Sequence, residues 1–362
     1  MVQYFHMKRN AFTVGSRTIG TGQPTFIIAE LSGNHHQDFA QALKLIDAAA
    51  DAGVDCIKSQ TYTADTITLD SDKEPFQVKV NDSWRGQTLH SLYQQAFTPW
   101  EWLPKLKKHA ESKGLLFFTS VFDPMAVDFM EEINVLFYKV ASFEVVDVPL
   151  LEKIGKTKKP VVMSRGMATD EELELALNTL RENGTPQVAI LHCISSYPAK
   201  PEEMNLSTIG HIAERFGVVA GLSNHCIDNR IDELAVAAGA SIIEKHLTLR
   251  RADGGPDATF SLEPQEMKAL VESVRQTEVI MGGAQHGAGQ MEGENIIFRK
   301  SLFAAAPIKK GEVFTEHNVR SVRPGAGLMP KYYHAVLGKC ATQDIEFATP
   351  LSWDLVEGGE PK

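Results

Sequence analysis

The sequence predicts an α/β protein in which a parallel (β/α)8 barrel, of the TIM-barrel type, precedes a small second domain. Between Thr25 and Gly282, short runs rich in β-branched and aromatic residues alternate eight times with longer segments of helical spacing. Strands that alternate with helices are typical of a parallel sheet, and eight such units close a barrel. An open, doubly wound sheet is the alternative, but no GxGxxG motif follows the first predicted strand.

Each predicted element has its own local signal. Short apolar runs predict strands at 25–30, 56–61, 115–120, 135–142, 160–166, 187–193, 218–224 and 241–246. Amphipathic segments predict helices at 38–52, 99–113, 124–133, 148–157, 170–183, 204–216, 230–239 and 263–281. Asp170 precedes two glutamates and is expected to be a helix N-cap. Glycines stand where helices are expected to end, at Gly53, Gly114, Gly184, Gly217 and Gly239.

Three segments depart from this alternation and indicate the domain organisation. Residues 62–98 are too many for an ordinary connection, and their aromatic content favours an ordered loop that shapes a substrate pocket. Residues 283–297 are rich in glycine and poor in apolar residues, which predicts a linker. The catalytic barrel is therefore expected at 1–282, and a compact domain of short strands and turns at 298–362.

Composition narrows the class of protein. The 362 residues are 43% hydrophobic, which is enough for a large core and a smaller second one. The net charge of -10 argues against a nucleic-acid binder, which would show a basic face. No apolar stretch is long enough to span a membrane and no signal peptide is evident, so a cytoplasmic protein is expected. The cysteines are scattered without a CxxC pair, which favours unpaired thiols in a reducing compartment: Cys56, Cys193, Cys226 and Cys340.

Polar side chains recur at the C-terminal ends of the predicted strands, which is where barrel enzymes carry their chemistry. They are Glu30, Lys58, Gln60, Thr119, Ser120, Lys139, Ser142, Glu144, Ser164, His192, Ser223, His225, Glu244, Lys245 and His246. Any one of them would ordinarily be a capping or ion-paired residue, because charges near an apolar core are costly unless they are paired or used. Their recurrence at the same end of nearly every strand indicates an active site instead.

Two histidines, His225 and His246, end the neighbouring strands seven and eight. At matching heights they would bind one divalent ion and leave positions open for substrate oxygens, as Lewis-acid catalysis on a carbonyl requires. From spacing alone, two unrelated polar residues on the barrel rim are an equal alternative. Lysines and hydroxyls at the same mouth suit a phosphate. The residues themselves thus predict a metal-assisted barrel enzyme that acts on a small, anionic, phosphorylated substrate.

Motifs along nearly the whole chain resemble the sialic acid synthase (NeuB-like) family. They are IIAELSGNHHQD (27–38), KSQTYTADTITLD (58–70), TPWEWLPKLKKHAESKGLLFFTSVFD (98–123), YKVASFE (138–144), SSYPAKPEEMNL (195–206), EKHLTL (244–249) and GGPDATFSLEP (254–264). RPGAGL (323–328) lies in a tail that resembles the family's antifreeze-like (SAF) domain. The forms AELSGNH, TYTADTITLD and GGPDATFSLEP are those of the branch whose sugar substrate is 2,4-diacetamido-2,4,6-trideoxy-altrose.

The resemblance implies a condensation in which C3 of phosphoenolpyruvate (PEP) adds to the open-chain aldehyde of an acylated amino sugar. Water attacks C2, and phosphate leaves with C–O cleavage. The resemblance also implies a divalent cation, Mn²⁺ or Mg²⁺, that polarises the aldehyde. The same chemistry on N-acetylmannosamine or on the legionaminic acid precursor is the alternative, and a non-catalytic sugar-binding protein is a third.

Residue roles implied by the resemblance fall on matching positions of this sequence. His225 and His246 match the metal ligands. The residues that match the PEP site are Lys139, Ser142, Ser120, Ser164 and Ser223, with Lys58 nearby and Ser195 in place of an asparagine. The residues that match the reacting and sugar-binding groups are Glu144 for the water or its proton, Glu30 and Asp257 for sugar hydroxyls, and Tyr197 and Gln60 for the pocket wall.

Three further positions carry expectations from the same resemblance. Arg323 matches an arginine that reaches into the partner subunit's site to hold the sugar's N-acyl group, which implies a domain-swapped homodimer. Arg165 stands where the family usually has threonine. Asn224 stands where the family usually has aspartate, and it is expected to weaken the support of the neighbouring His225.

Overall fold

The protein is described by a computed structural model at residues 10–79, 85–283 and 286–361. The chain divides into two units, residues 1–282 and 283–362. Residues 80–84 of the long predicted loop lie outside the described residues.

Eight parallel strands close into a barrel in the first unit. An antiparallel hairpin of β1 (Ala11–Val14) and β2 (Arg17–Gly20) precedes them. The barrel strands are β3 (Phe26–Glu30), β4 (Cys56–Thr61), β5 (Leu116–Val121), β6 (Tyr138–Val140), β7 (Val161–Ser164), β8 (Val188–Cys193), β9 (Val219–Asn224) and β10 (Ile242–His246). Strand β10 pairs with β3 and completes the ring, so the predicted (β/α)8 barrel is confirmed.

Helices follow the barrel strands along the chain. They are α1 (Phe39–Ala52), α2 (Ala64–Ile67), α3 (Leu89–Ala96), α4 (Leu103–Ser112), α5 (Pro124–Glu132), α6 (Val148–Lys156), α7 (Asp170–Glu182), α8 (Thr208–Phe216), α9 (Asn229–Ala237) and α10 (Pro264–Met281). The predicted glycine stops adopt positive φ at all five positions, two of which, Gly53 and Gly217, are the C-caps of α1 and α8.

Two helices begin later than the sequence pattern predicts. Helix α4 starts at Leu103 rather than at residue 99, because a 3₁₀ turn at Trp100–Trp102 comes first and Pro104 suits only the first helical turn. Helix α8 starts at Thr208 rather than at residue 204, because Asn205 takes a left-handed conformation with φ of 40°.

The N-cap predicted for α7 is wrong by one residue. Thr169, not Asp170, is the cap: its hydroxyl accepts a hydrogen bond from the amide of Glu172 at 3.2 Å, and Glu172 Oε2 accepts from the amide of Thr169 at 2.8 Å. This reciprocal capping box satisfies two amides at once, which a lone aspartate at 170 would not do. Asp170 is instead the first helical residue, where its negative charge interacts favourably with the positive end of the helix dipole.

The hairpin β1–β2, which the sequence pattern did not predict, closes the N-terminal end of the barrel. Phe12, Val14 and Ile19 are buried against the apolar side chains of the barrel interior. Those interior side chains include Phe26, Ile28, Phe118, Phe137, Val162, Leu191, Val219 and Ile242. Because this end of the barrel is filled by apolar groups, the polar side chains of the strands gather at the opposite, C-terminal end.

The second unit is a small β-rich fold. Strands β11 (Ser301–Ala304) and β12 (Val319–Val322) pair antiparallel over a core that includes Leu302, Phe314 and Ile345. Part of the predicted linker has helical structure, since α11 (Gln290–Gly293) leads into a 3₁₀ turn. Across the described ranges of both units, no helix combines the length and apolar character needed to cross a membrane.

Candidate active site

A cavity of about 420 Å³ opens at the C-terminal ends of the barrel strands. It is lined by most of the residues that the sequence singled out: Lys58, Gln60, Ser120, Lys139, Ser142, Glu144, Ser164, Tyr197, Ser223, His225, His246 and Asp257. Glu30 is fully buried behind this lining, and Ser195 donates a hydrogen bond to the Ser142 hydroxyl at 2.8 Å. Arg323 belongs to the second unit.

Strand register explains why these side chains meet. Neighbouring strands pair Glu30 with His246 and with Lys58, and β5 pairs Ser120 with Lys139 on β6. Because side chains alternate along a strand, residues two apart face the same side, so Glu244 enters the cavity with His246. The barrel therefore presents one ring of polar groups at a common height.

Lys58 forms the centre of a buried ion-pair network. Its ammonium lies 2.5 Å from Glu30 Oε2 and 3.4 Å from Glu244 Oε1. Burial alone would lower the pKa of Lys58, but the two carboxylates outweigh burial and raise it. Burial raises the pKa of Glu30 against the effect of Lys58. Burial would also raise the pKa of Glu244, but Lys58 and Lys139 outweigh it and lower that pKa. The ammonium of Lys58 is thus paired with two carboxylates, and it also donates to the Ser120 hydroxyl at 3.2 Å.

Lys139 has a different environment. Its ammonium donates to the Ser164 hydroxyl at 2.6 Å and to the Val140 carbonyl at 2.9 Å, and within the described part of the chain it joins no ion pair. Burial lowers the pKa of Lys139 to about 8, because the charged form is poorly solvated. Lys139 is therefore the cation of the cavity that is still available to an anionic ligand.

Glu144 lies in a 3₁₀ turn that follows β6, and its carboxyl group lines the cavity. Its Oε2 is buried and has no hydrogen-bond partner among the described residues. Burial raises the pKa of Glu144 to about 7, although Lys139 acts in the opposite direction. A carboxyl group with a pKa near neutrality can both accept and return a proton, as a general acid–base catalyst must.

The two histidine rings lie side by side, with centroids 5.3 Å apart and planes inclined by 64°. His225 Nδ1 lies 3.1 Å from the Ile194 carbonyl, so this nitrogen carries the proton and Nε2 is left to bind a ligand. His246 Nδ1 is buried without a hydrogen-bond partner in the described chain, 3.6 Å from Asp257 Oδ2. Burial lowers the pKa of His225 to about 4 and that of His246 well below its usual value, so both rings are neutral at pH 7.

Neutral imidazoles with an unsatisfied buried nitrogen are the donors that a divalent transition metal prefers. No cluster of three or more His, Cys, Asp or Glu side chains arranged to hold a metal occurs among the described residues. A cation at this place would therefore take two ligands from the histidines and complete its shell with water or substrate. The donor set fits an open, catalytic site better than a closed, structural one.

A buried cluster outside the barrel ring holds the segment that carries His225. Asn224 Oδ1 accepts from the amide of Cys226 at 2.9 Å, and its Nδ2 donates to Asp232 Oδ1 at 2.9 Å. Asp232 Oδ2 lies 3.0 Å from the ammonium of Lys245, and both of these side chains are fully buried. Residues on either side of His225 are thus tied to one buried ion pair.

Like Thr119 and Lys245, the predicted strand-end residues His192 and Arg165 do not line the cavity. His192 Nε2 lies 2.6 Å from the Met204 carbonyl, and Arg165 Nη2 donates to the Ala168 carbonyl at 3.0 Å. Each therefore stabilises a connection between a strand and its helix. Side chains alternate between the two faces of a strand. Cys193 on β8 and Ser164 on β7 face the cavity, so the adjacent residues His192 and Arg165 do not.

Two residues that support the site, Ser32 and Asp232, were not selected from the sequence. Ser32 donates its hydroxyl to Asp257 and its amide to Glu30 Oε1 at 2.8 Å. Asp232 carried a weak signal, as an acid on the buried face of α9 between Ile231 and Ala235. Its partner Lys245 comes from β10, which the pattern of α9 cannot reveal.

Comparison with known proteins gives concordant matches. The profile of the NeuB family matches residues 45–286, and that of the SAF domain matches residues 299–357. The chain is 43% identical to a pseudaminic acid synthase of Campylobacter jejuni, over 91% of this chain and 96% of that protein. It is 39% identical to a pseudaminic acid synthase of Helicobacter pylori, over 92% and 98% respectively. A crystal structure of N-acetylneuraminic acid synthetase from Leptospira borgpetersenii superposes with a TM-score of 0.72 at 33% identity, covering 81% of this chain and 97% of that one.

The Asp232–Lys245 pair generates a stability prediction. Asp232→Asn leaves the ammonium of Lys245 buried without a counter-charge, and breaking such a pair costs about 3–5 kcal/mol of unfolding free energy. Urea denaturation of the variant and the parent protein measures the loss. Glu233→Gln, at the next and partly exposed position of α9, is the matched control, with an expected change within about 0.5 kcal/mol.

The double variant Asp232→Leu with Lys245→Met separates charge from packing. Because it removes both charges, its unfolding free energy is expected to exceed that of Asp232→Asn. Equal stability of Asp232→Asn and Glu233→Gln would contradict the interpretation that the buried ion pair of Asp232 and Lys245 stabilises the protein.

Proposed function

The chain belongs to the NeuB family, and from this premise we propose that it condenses PEP with the open-chain aldehyde of an acylated amino sugar and releases phosphate. The proposed sugar is 2,4-diacetamido-2,4,6-trideoxy-altrose, and the product is pseudaminic acid. One observation carries the proposal: an ammonium free of carboxylates, a carboxyl group with a pKa near 7 and two neutral imidazoles line a single cavity. Four unpaired cysteines agree with a cytoplasmic location.

The proposed reaction makes one carbon–carbon bond and breaks one carbon–oxygen bond. C3 of PEP bonds to the aldehyde carbon, and the aldehyde oxygen gains a proton and becomes a hydroxyl. The oxygen of a water molecule bonds to C2; one of its protons passes to a base and the other stays on the new C2 hydroxyl. As the bond between C2 and the phosphate oxygen breaks, that hydroxyl loses its proton and becomes the ketone, so that one water proton ends on the departing phosphate and the other on the hydroxyl formed from the aldehyde. The products are a 2-keto acid and inorganic phosphate.

Lys139 is the proposed anchor for PEP. Its ammonium forms no direct ion pair among the described residues, and Ser164 already orients it. Hydroxyl groups surround the same part of the cavity and would donate to phosphate and carboxylate oxygens: Ser120, Ser142, Ser164 and Ser223. Ser195 takes part indirectly, since it orients the hydroxyl of Ser142.

Glu144 is the proposed base for the water that attacks C2. Its carboxylate would also stabilise the positive charge that develops at C2 as C3 forms its new bond. The proton that Glu144 accepts can pass to the departing phosphate, because a group with a pKa of about 7 releases protons readily.

His225 and His246 would hold a divalent cation, Mn²⁺ or Mg²⁺, which when bound polarises the aldehyde carbonyl. Asp257 lies beside His246 and accepts from Ser32, and burial raises the pKa of Asp257 to about 6. We assign Asp257, Gln60 and Tyr197 to contacts with the sugar. Glu30 acts through Lys58 and Gln60, whose Nε2 donates to Glu30 Oε1 at 3.2 Å.

The small domain has a role in the same proposal. Arg323 is proposed to reach into the site of a partner subunit and to hold the N-acyl group of the sugar, in a domain-swapped homodimer. The match of residues 299–357 to the SAF domain supports this assignment.

The sugar is tested by phosphate release with PEP, Mn²⁺ and one of three sugars. We expect the altrose derivative to exceed N-acetylmannosamine and the legionaminic acid precursor by about tenfold or more in kcat/KM, as pocket-based selection typically allows. Omission of PEP or of Mn²⁺ is the control. A preference for N-acetylmannosamine would transfer the assignment to the sialic acid branch, and no release with any sugar would favour a binding protein.

The pH profile tests Glu144 and Lys139 together. Glu144 must be ionised to accept a proton, so kcat/KM is expected to rise with pH through about 7. Lys139 must be protonated to bind PEP, so the KM for PEP is expected to rise above pH of about 8. Lys139 and Asp147 are the charged groups that act on Glu144, and they oppose one another.

Glu144→Gln removes the base and should lower kcat by about 10²- to 10⁴-fold, with loss of the acid limb of the profile. Glu152→Gln, an exposed position on α6, is the control and should leave the profile unchanged. An unaltered acid limb in Glu144→Gln would remove Glu144 from the mechanism.

Subunit mixing tests the role of Arg323. Glu144→Gln inactivates the barrel of its own subunit, and Arg323→Ala removes the arginine that the small domain would supply to the partner's site. A mixed dimer of the two variants therefore contains one site in which both the glutamate and the arginine are intact. After co-expression with random pairing, we expect about one quarter of the activity of the unmodified dimer. Activity no higher than the mean of the two separate variants would exclude a swapped arginine.

A further inference from the structure

Ser32 adopts a backbone conformation that usually belongs to glycine. The residue follows β3 by two positions, its φ is 46°, and it is buried. A residue other than glycine in the left-handed region is strained, and residues with such strain cluster at functional sites. The turn after β3 would form with less strain around a glycine, so chain reversal alone does not account for a serine here.

The backbone amide and the hydroxyl of Ser32 contact two different carboxylates. The amide donates to Glu30 Oε1 at 2.8 Å, and the hydroxyl donates to Asp257 Oδ2. Gln60 Nε2 donates to the Ser32 hydroxyl at 3.3 Å and to Glu30 Oε1 at 3.2 Å. Because the NH2 group of an amide only donates and an ionised carboxylate only accepts, the hydroxyl proton of Ser32 is directed at Asp257.

The hydroxyl of Ser32 joins two loops at the place where the barrel closes. Ser32 lies in the loop after β3, and Asp257 lies in the loop after β10, the strand that pairs with β3. Within its own loop, the carbonyl of Asp257 accepts from the Ser261 hydroxyl at 2.6 Å, which fixes the backbone but not the side chain. The orientation of the carboxylate therefore depends on Ser32, which reaches it from the neighbouring loop.

We propose that Ser32 is a positioning residue for the sugar: its hydroxyl holds the carboxylate of Asp257 in the orientation that accepts from a sugar hydroxyl. This inference rests on the function proposed above, in which Asp257, a residue of the cavity lining, contacts the sugar. A carboxylate that is already oriented loses less side-chain freedom when the ligand binds, so Ser32 strengthens the binding of the sugar. The strained serine is retained because a glycine would lack the hydroxyl.

The test compares Ser32→Ala with Ser32→Gly, because both remove the hydroxyl but only Ser32→Gly also removes the backbone strain. Phosphate release by the full chain is measured with PEP, Mn²⁺ and the preferred sugar of the panel described above. Each variant should raise the KM for the sugar roughly tenfold, while kcat and the KM for PEP stay within about twofold of the parent values. The midpoint of thermal unfolding should nevertheless be roughly 2–4 °C higher for Ser32→Gly than for Ser32→Ala.

Two further variants complete the comparison. Lys158→Gly is the matched control, because Lys158 is exposed, has a φ of 59° and precedes β7, at the N-terminal end of the barrel. It should raise the midpoint of thermal unfolding without changing any kinetic constant. Asp257→Ala removes the carboxylate that Ser32 holds, so the addition of Ser32→Ala to this variant should change the KM for the sugar by less than about twofold.

Several outcomes overturn the inference while the proposed function stands. They are an unchanged KM for the sugar in both Ser32 variants, an increase confined to Ser32→Ala, equal increases in the KM values for the sugar and PEP, and a further roughly tenfold increase when Ser32→Ala is added to Asp257→Ala. If the parent protein releases no phosphate with any sugar of the panel, the proposed function itself fails, and the inference fails with it.

Discussion

The site depends on the burial of Lys58 between two carboxylates. Lys58 comes from β4, Glu30 from the adjacent β3 and Glu244 from β10, so the network spans the seam at which the barrel closes. Each buried ion would cost several kcal/mol if it stood alone. Lys58 also donates to the Ser120 hydroxyl, and hydrogen bonds from Ser223, Gln60 and Ser32 to the two carboxylates complete the network. The polar mouth of the barrel therefore behaves as one unit.

The same network determines which groups remain free for chemistry. Because Glu30 and Glu244 form their ion pairs with Lys58, the ammonium of Lys139 is left without an ion-pair partner among the described residues. Burial then moves two pKa values towards each other, that of Glu144 up to about 7 and that of Lys139 down to about 8. An acid and a base with such similar pKa values can share protons near neutral pH, which their unperturbed side chains could not do. Burial is thus the common cause of both functional properties.

The sequence was sufficient for the barrel and for most of the cavity lining, and the predicted family resemblance is confirmed by the profile matches. Alternating strands and helices specify the barrel, and a repeat of two identifies inward positions such as Glu244 and His246. The hairpin β1–β2 was missed because two four-residue strands are stable only when the barrel interior covers Phe12, Val14 and Ile19. The Thr169 cap was missed because an acidic run also favours a helix start.

Asn224 shows most clearly what a linear motif leaves out. The resemblance alone implied an aspartate at this position and therefore predicted weaker support beside His225. The buried ammonium of Lys245 nevertheless requires a counter-charge, and Asp232 on α9 supplies it while Asn224 bridges the two halves of the cluster. What the fold requires is neutralisation of Lys245 and a fixed backbone on both sides of His225. Two residues eight positions apart, Asn224 on the strand and Asp232 on the helix, satisfy that requirement jointly.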